Sequence, residues 1–287
     1  LVPFLTSAYS MTANAASGTP TLVVRSNRGA SVRTLSYNRQ SAEDALEERV
    51  ERTTVDPLGR VASRIDPRFF AAGGSPNFAY QSSFSGQVLR SDSLDAGTHW
   101  ALADVDGHPV WARDSRGTCA AWTYDALGRP LTVQETAGGQ LPATRDVWIY
   151  GEGLPDAQPH NLRGQCARRY DSAGRLEWSG FCLTGQARDE TRRLLTDAEA
   201  EPDWAGQDEA AWEGALDPTE YATAWRHDAT GTWAAQTDAK GNVQQRGFDV
   251  AGRLANSSLA LAGATAQPLL AAIDYSAAGQ VMSETAG

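Results

Sequence analysis

At 287 residues, with 41% hydrophobic side chains and nine Trp, the chain has material for one large or two ordinary domains and is not a disordered tail. Its net charge of −10, with Lys240 the only lysine among 25 basic residues, argues against a nucleic-acid binder, which carries a basic footprint. No apolar run approaches the ~20 residues that span a bilayer, so no membrane insertion by this chain is expected. The opening LVPFLTSAYS is too short, and lacks the basic flank, of a secretory signal peptide.

In chain order, residues 1–18 form an extension expected to be flexible, with Met11 a candidate start. Residues 20–40 read as two strands about an Asn27-Arg28-Gly29 turn, followed by a polar connection, SAEDALEER, over 41–49. Strands and turns then continue to about residue 136, closing a first repeat block over 19–136. Residues 137–165 read as a strand, VWIY, and a long Gly/Pro-rich connecting loop. A second block covers 166–287, with an acidic insertion at 186–217, and is expected to be truncated at its C-terminal end. Between Gln186 and Asp217 there are ten acidic residues and three arginines. Within this insertion, ARDETRRLL and GQDEAAWEGAL are expected to form short helices with acids near their N-termini, where the helix dipole favours them. The insertion reads as a solvated excursion, or as a contact site for a basic partner.

Both blocks repeat one phrase: an aromatic or apolar residue, Asp, two variable residues, Gly, a basic or polar residue, and an apolar one. It stands as VDPLGRV (55–61), YDALGRPL (124–131), YDSAGRL (170–176) and FDVAGRL (248–254), with weaker copies HDATGTW, TDAKGNV and YSAAGQV. Asp56, Asp125, Asp171, Asp228, Asp238 and Asp249 open tight turns because a short carboxylate accepts bonds from backbone N–H groups just ahead of it. Gly59, Gly86, Gly107, Gly117, Gly128, Gly174, Gly231, Gly241, Gly252 and Gly279 supply the positive φ that ends such a turn. Gly107, Gly117 and Gly128 advance by 10 and 11 residues, as do Gly231, Gly241 and Gly252. Turn signals at this spacing predict an antiparallel meander, longer-looped than the tightest hairpins and with strand content well above the usual ~20–25%.

Chemistry is sparse. No nucleophile elbow, HExxH, P-loop or GxGxxG occurs, and no cofactor or metal site is expected. His99 and His108 lie nine residues apart without a ligand pattern. Cys119, Cys166 and Cys182 lack metal spacing and read as ordinary thiols. The aspartates sit where turns need them, so no catalytic residue is assigned. Trp100, Trp111 and Trp122 recur every 11 residues and read as packing aromatics, with a stacked platform for sugars or bases as the alternative.

The phrase YDxxGR resembles the signature of the RHS/YD-repeat family. The segments TPTLVVRSNRGASVRTLSYNR, IDPRFF, SPNFAYQSSFSGQVLRSDSLDAG, HNLRGQCARRYDSAGRL, DWAGQDEAAWEG and TDAKGNVQQRGFDVAGRL resemble the amino-terminal part of the C component of Tc (toxin complex) insecticidal toxins. The resemblance implies an all-β fold, an antiparallel sheet spiralling into part of a hollow shell. It implies a secreted bacterial virulence complex in which C and B components enclose the C component's own C-terminal toxin for delivery through an A-component pore. It carries no catalytic residue to any position here, because the family's aspartyl self-cleavage site and toxin would lie beyond residue 287. Two other readings are an RHS/YD surface or polymorphic toxin protein for adhesion or contact-dependent competition, and a carbohydrate-binding or glycoside-acting β protein. The latter needs paired carboxylates roughly 5–10 Å apart in a cleft.

Overall fold

A computed structural model describes residues 15–287; Met11 and most of the 1–18 extension lie outside the described residues. The protein is all-β, with 48% of residues in strands and 6% in helices. It divides into two compact units at Cys119/Ala120.

The first unit is a meander of eight strands. These are β1 (Leu22–Arg25), β2 (Ser31–Asn38), β3 (Glu47–Val55), β4 (Val61–Ile65), β5 (Phe78–Ser82), β6 (Val88–Ser93), β7 (Gly97–Ala103) and β8 (Pro109–Arg113). Each pairs antiparallel with the next. Between β4 and β5, Pro67–Ala71 forms the short helix α1. Asp66 caps it by accepting from the N–H groups of Arg68 and Phe69, with Pro67 in the first turn, where its missing N–H costs nothing. Trp100 and Trp111 share a face, opposite Arg113 and Leu102 respectively, and the Trp100 ring carries the Arg90 guanidinium 4.8 Å from its centroid.

The second unit continues the pattern with β9 (Cys119–Tyr124), β10 (Pro130–Thr136), β11 (Ala143–Tyr150), β12 (Cys166–Asp171), β13 (Gly174–Glu177) and β14 (Asp189–Leu194). Then come β15 (Tyr221–His227), β16 (Trp233–Thr237), β17 (Val243–Phe248), β18 (Leu254–Ala260), β19 (Gln267–Tyr275) and β20 (Val281–Ala286). Again each pairs antiparallel with its successor.

Two expectations for the insertion are corrected here. ARDETRRLL is not a helix: Asp189–Leu194 is a strand paired on both sides, Arg192 opposite Leu176 and Tyr221. A two-sided backbone ladder outweighs the modest helix preference of those residues. Only GQDEAAWEGAL turns helical, in α2 (Glu209–Trp212), capped by Asp208. Nor is the stretch a solvated excursion. Residues 195–217 fold back as a strap, and Leu195, Trp204, Trp212 and Leu216 bury against Val147 and Tyr170. Tyr170, Trp204 and Trp212 meet with ring centroids 4.7–5.7 Å apart, Trp212 edge-on to both other rings and Tyr170 tilted against Trp204, and edge-on contacts are a geometry aromatic quadrupoles favour. Both indole N–H groups are satisfied, Trp204 donating to Asp171 O (3.0 Å) and Trp212 to Ala205 O (3.1 Å).

On the other side of β12, the loop after β11 and the segment after β13 bury Ala157, Leu162, Ala167 and Phe181. Among the described residues, every buried hydrophobic side chain except Val50 and Leu270 belongs to one of these two clusters. Elsewhere both sheet faces stay partly open.

Two stability outcomes follow. Trp204→Ala should cost about 3–5 kcal/mol, the usual loss for emptying a buried Trp site, measured as a lowered denaturant midpoint. Gly128 has φ 76°, whereas a Cβ at Gly174 (φ 126°) would in addition collide with Arg193 O. In the same assay Gly128→Ala should cost about 1–2 kcal/mol and Gly174→Ala at least about twice that, because a backbone clash adds to the strain.

Candidate functional site: the turn clamp

Asp125 shows what the repeat builds. Its Oδ1 accepts from the N–H groups of Leu127 (2.8 Å) and Arg129 (2.9 Å), and its Oδ2 from Arg129 Nε (2.7 Å). The backbone closes the turn twice, Asp125 N to Arg129 O (2.9 Å) and Gly128 N to Asp125 O (3.0 Å). The guanidinium then lies 4.0 Å from the centre of the Tyr150 ring, at the end of β11. Tyr150 in turn donates to Pro130 O (3.1 Å), and Arg129 Nη1 to Glu152 (2.6 Å). One Asp thus shapes the turn, and the Arg it holds clamps the turn to the following strand.

The same clamp recurs at Asp249. Arg253 donates to Asp249 Oδ2 (2.8 Å) and lies 4.5 Å from the Tyr275 ring centre, and Tyr275 donates to Leu254 O (2.8 Å). At Asp56 the Arg60 guanidinium donates to Asp56 Oδ2 (2.6 Å) and onward to Ser83 O. The bonds hold these carboxyls below the usual range: chiefly the Arg60 side chain for Asp56, and the backbone N–H groups of Arg129 and Arg253 for Asp125 and Asp249. Exposed ion pairs contribute little singly; here the carboxylate's backbone bonds set the geometry and the guanidinium–ring contact extends it.

The structure places the remaining turn residues as follows. Asp228 and Asp238 close five-residue turns with Thr232 and Asn242 in the Arg position, and Gly231 and Gly241 have φ 85° and 81°. Gly59, Gly86, Gly107, Gly117, Gly252 and Gly279 also have positive φ and donate to the first turn residue. Asp171 and Gly174 differ. They pair directly across a two-residue hairpin, tighter than the expected loop, and Asp171 binds Arg192 (2.6 and 2.8 Å) in place of Arg175. Burial is the largest influence on Asp171 and would raise its pKa, but the Arg192 bonds, the Ala173 N–H and the nearby Arg169 charge together leave it lowered.

Asp104 and Asp114 open the turns that end at Gly107 and Gly117; the sequence analysis names the two glycines but not the two aspartates, although their Asp-x-x-Gly spacing was visible. Ser26, Ser83 and Ser276 do the same with a hydroxyl or the backbone alone. Asp104, Asp106 and His108 have ligand-type atoms within 4.8 Å of one another; the Asp104–His108 contact (3.1 Å) and the backbone bonds are those of the turn itself.

Four acids of the strap, Glu201, Asp203, Glu209 and Glu213, are bonded to the sheet. Glu209 accepts from Arg168 (2.9 Å) and from the Tyr170 hydroxyl (2.9 Å), Glu201 from Arg145 (2.8 Å), and Glu213 from Arg193 and Arg175. Burial, then Glu209, pushes the Tyr170 phenol up to about 12. The basic partner of these acids is therefore the chain's own set of arginines. Asp203 accepts from Thr144 N (2.7 Å), fixing the strap to β11.

None of the protein-family models matches the chain. Toxin subunit YenC1 of Yersinia entomophaga is 35% identical over 281 residues, covering 94% of this chain and 28% of that protein. Toxin subunit YenC2 of the same organism is 34% identical over 290 residues, covering 94% and 30%. The chain thus spans about three tenths of the length of these curated relatives. Among solved structures, TcdB2–TccC3 matches with a TM-score of 0.83 at 35% identity, over 93% of this chain and 13% of that one. The same complex without its hypervariable C-terminal region gives 0.84 at 34%, over 95% and 13%. A Photorhabdus luminescens Tc holotoxin pore gives 0.83 at 35%, over 93% and 13%. Identity of this order along nearly the whole chain, on the same all-β architecture, places the chain in the family of Tc toxin C subunits.

Proposed function

We propose that this chain is a wall segment of a toxin-complex C subunit. With a B subunit it would enclose the C subunit's own toxin until delivery through an A-component pore, as part of a secreted bacterial complex. The observation that carries this reading is the match of 93% of the chain to the TcdB2–TccC3 complex at a TM-score of 0.83. The chemistry agrees with containment. The turn carboxylates are bonded to backbone N–H groups and arginines, and the reading gives them no catalytic step. Strands that leave large apolar side chains such as Leu102, Leu269 and Val281 exposed are suited to being covered by neighbours. No helix among the described residues is long and apolar enough to cross a membrane.

The test is co-purification with a TcdB2-type B subunit followed by sedimentation velocity. A stoichiometric complex, or self-association of the chain alone, is expected. A monodisperse monomer at high concentration with no affinity for the B subunit would refute the wall-segment reading.

Clamp-dependent acid sensitivity is expected as well. The folded-state pKa values of Asp56, Asp125 and Asp249 are lowered. Their stabilisation is therefore complete above the unfolded carboxylate value of about 4 and is lost as pH falls below it, through the depressed folded values. Unfolding midpoints should drop below about pH 4, and the D56N/D125N/D249N variant should show a shallower drop over the same range. An unchanged slope would show that the clamps do not set acid stability.

A further inference from the structure

One turn keeps the backbone of the repeat but carries a thiol at its head. Residues Cys182–Gln186 have the backbone of the repeat turn, Cys182 N bonding Gln186 O (2.8 Å) and Gly185 N bonding Cys182 O (2.9 Å). Its first residue is Cys where the clamp has Asp, and its fifth is Gln where the clamp has Arg. The thiol does not cap its own turn. It lies 3.7 Å from His227 Nδ1, 45 residues away. His227 itself stands directly before Asp228, the position held by Tyr124, Tyr170, Phe248 and Tyr275 in other copies. Cys and Gln thus replace Asp and Arg in one copy, His replaces the aromatic in another, and the replacements converge. The Gln186 side chain packs against Gly231, and its Oε1 is buried without a hydrogen-bond partner; so is Nε1 of Trp233, the cross-strand partner of His227. Positions where a sequence departs from its own local rule are where function is to be sought.

Cys182 also lines a cleft of about 320 Å³ with Gln158, Asn161, Arg163, Gln165 and Leu183. That volume suits a short peptide-like molecule. Three amides and one guanidinium suit a ligand rich in peptide groups and carboxylates.

We infer that Cys182, with His227 as its proton acceptor, is a thiol-exchange site of this chain, and that the cleft beside it takes a low-molecular-weight disulfide bearing carboxylates, of the glutathione-disulfide kind. In the step, the thiol proton passes to His227 Nδ1 and Sγ attacks one sulfur of the disulfide. A new S–S bond forms as the old one breaks, and the leaving thiolate takes the proton from His227. Cys182 ends as a mixed disulfide and one small thiol is released, so the disulfide is the only oxidant required. The other thiols lack this arrangement. Burial pushes Cys166 up to about 11, and Cys119 donates to Gly117 O at 3.8 Å.

The reduced protein is incubated with oxidised glutathione, and the mixed disulfide at each cysteine is followed by peptide mass spectrometry. Cys182 should react at least about tenfold faster than Cys119 and Cys166, the effect of a neighbouring base that takes the thiol proton as Sγ attacks. His227→Phe, which restores an aromatic to the repeat, should slow Cys182 by about tenfold and remove the imidazole step from its pH–rate profile, leaving the other two cysteines unchanged. His227→Gln provides the same readout should the Phe variant fail to fold. Arg163→Ala should slow the reaction with oxidised glutathione but not with cystamine, a disulfide carrying amines. Equal rates at the three cysteines, or a Cys182 rate and profile indifferent to both His227 variants, would overturn the site. An Arg163→Ala variant slowed equally, or not at all, with both disulfides would overturn the ligand class.

Discussion

Everything in this protein depends on what a carboxylate does at the head of a five-residue turn. One oxygen of Asp125 takes up two backbone N–H groups that would otherwise lack partners, and the other fixes the guanidinium of Arg129. The first act reverses the chain in a defined geometry; the second aims a flat cation at Tyr150 on the next strand. A long meander has mostly local pairings and few side chains that bridge beyond neighbouring strands. A device that makes each turn specify the placement of the following strand replaces the deep core that such a sheet lacks. Because the unit is short and complete in itself, it can be reiterated with substitutions, as Asn242 does for Arg at Asp238 and Thr232 at Asp228.

The second unit adds a different solution where the meander is interrupted. Covering the sheet at β11 and β12 on both faces gives Tyr170, Ala167 and Trp204 only 1% exposure each. The strap brings its own electrostatics: Glu201, Glu209 and Glu213 meet Arg145, Arg168, Arg175 and Arg193. Arginine suits this role because its planar fork can bridge two acceptors, as Arg168 does between Glu177 and Glu209. The acidity of the strap is therefore a docking feature of the fold, complementary to a sheet whose cations are almost all arginine.

For a wall of a toxin-complex subunit, this combination is physically coherent. Clamped turns define the path of the sheet without demanding a thick hydrophobic interior, and the partly open faces leave apolar surface for further layers. Against this regular background the Cys182–Gln186 turn stands out, because it brings a thiol into contact range of an imidazole, His227, on a strand 45 residues on.

The sequence by itself determined the class and rhythm of the structure. Asp-to-Gly spacing is a local backbone property, decided within five residues, so the turns at Asp56, Asp125, Asp228, Asp238 and Asp249 and the antiparallel order of strands were legible from it. The family resemblance was legible as well, through segments such as DWAGQDEAAWEG and HNLRGQCARRYDSAGRL. What only the tertiary structure decided were the contacts between residues far apart in the chain. Local pattern made Asp189–Leu194 a helix candidate; pairing with Leu176 and Tyr221 made it a strand. Local charge made 186–217 a solvated excursion, whereas two tryptophans meeting Tyr170 turned most of it into a buried strap. Asp171 carries the repeat's signature, yet its guanidinium partner is Arg192, 21 residues on, because a two-residue hairpin leaves no room for the local one. The clamp aromatics and the Cys182–His227 contact are likewise set by strand register, which hydrogen bonding across the sheet decides and no short stretch of sequence encodes.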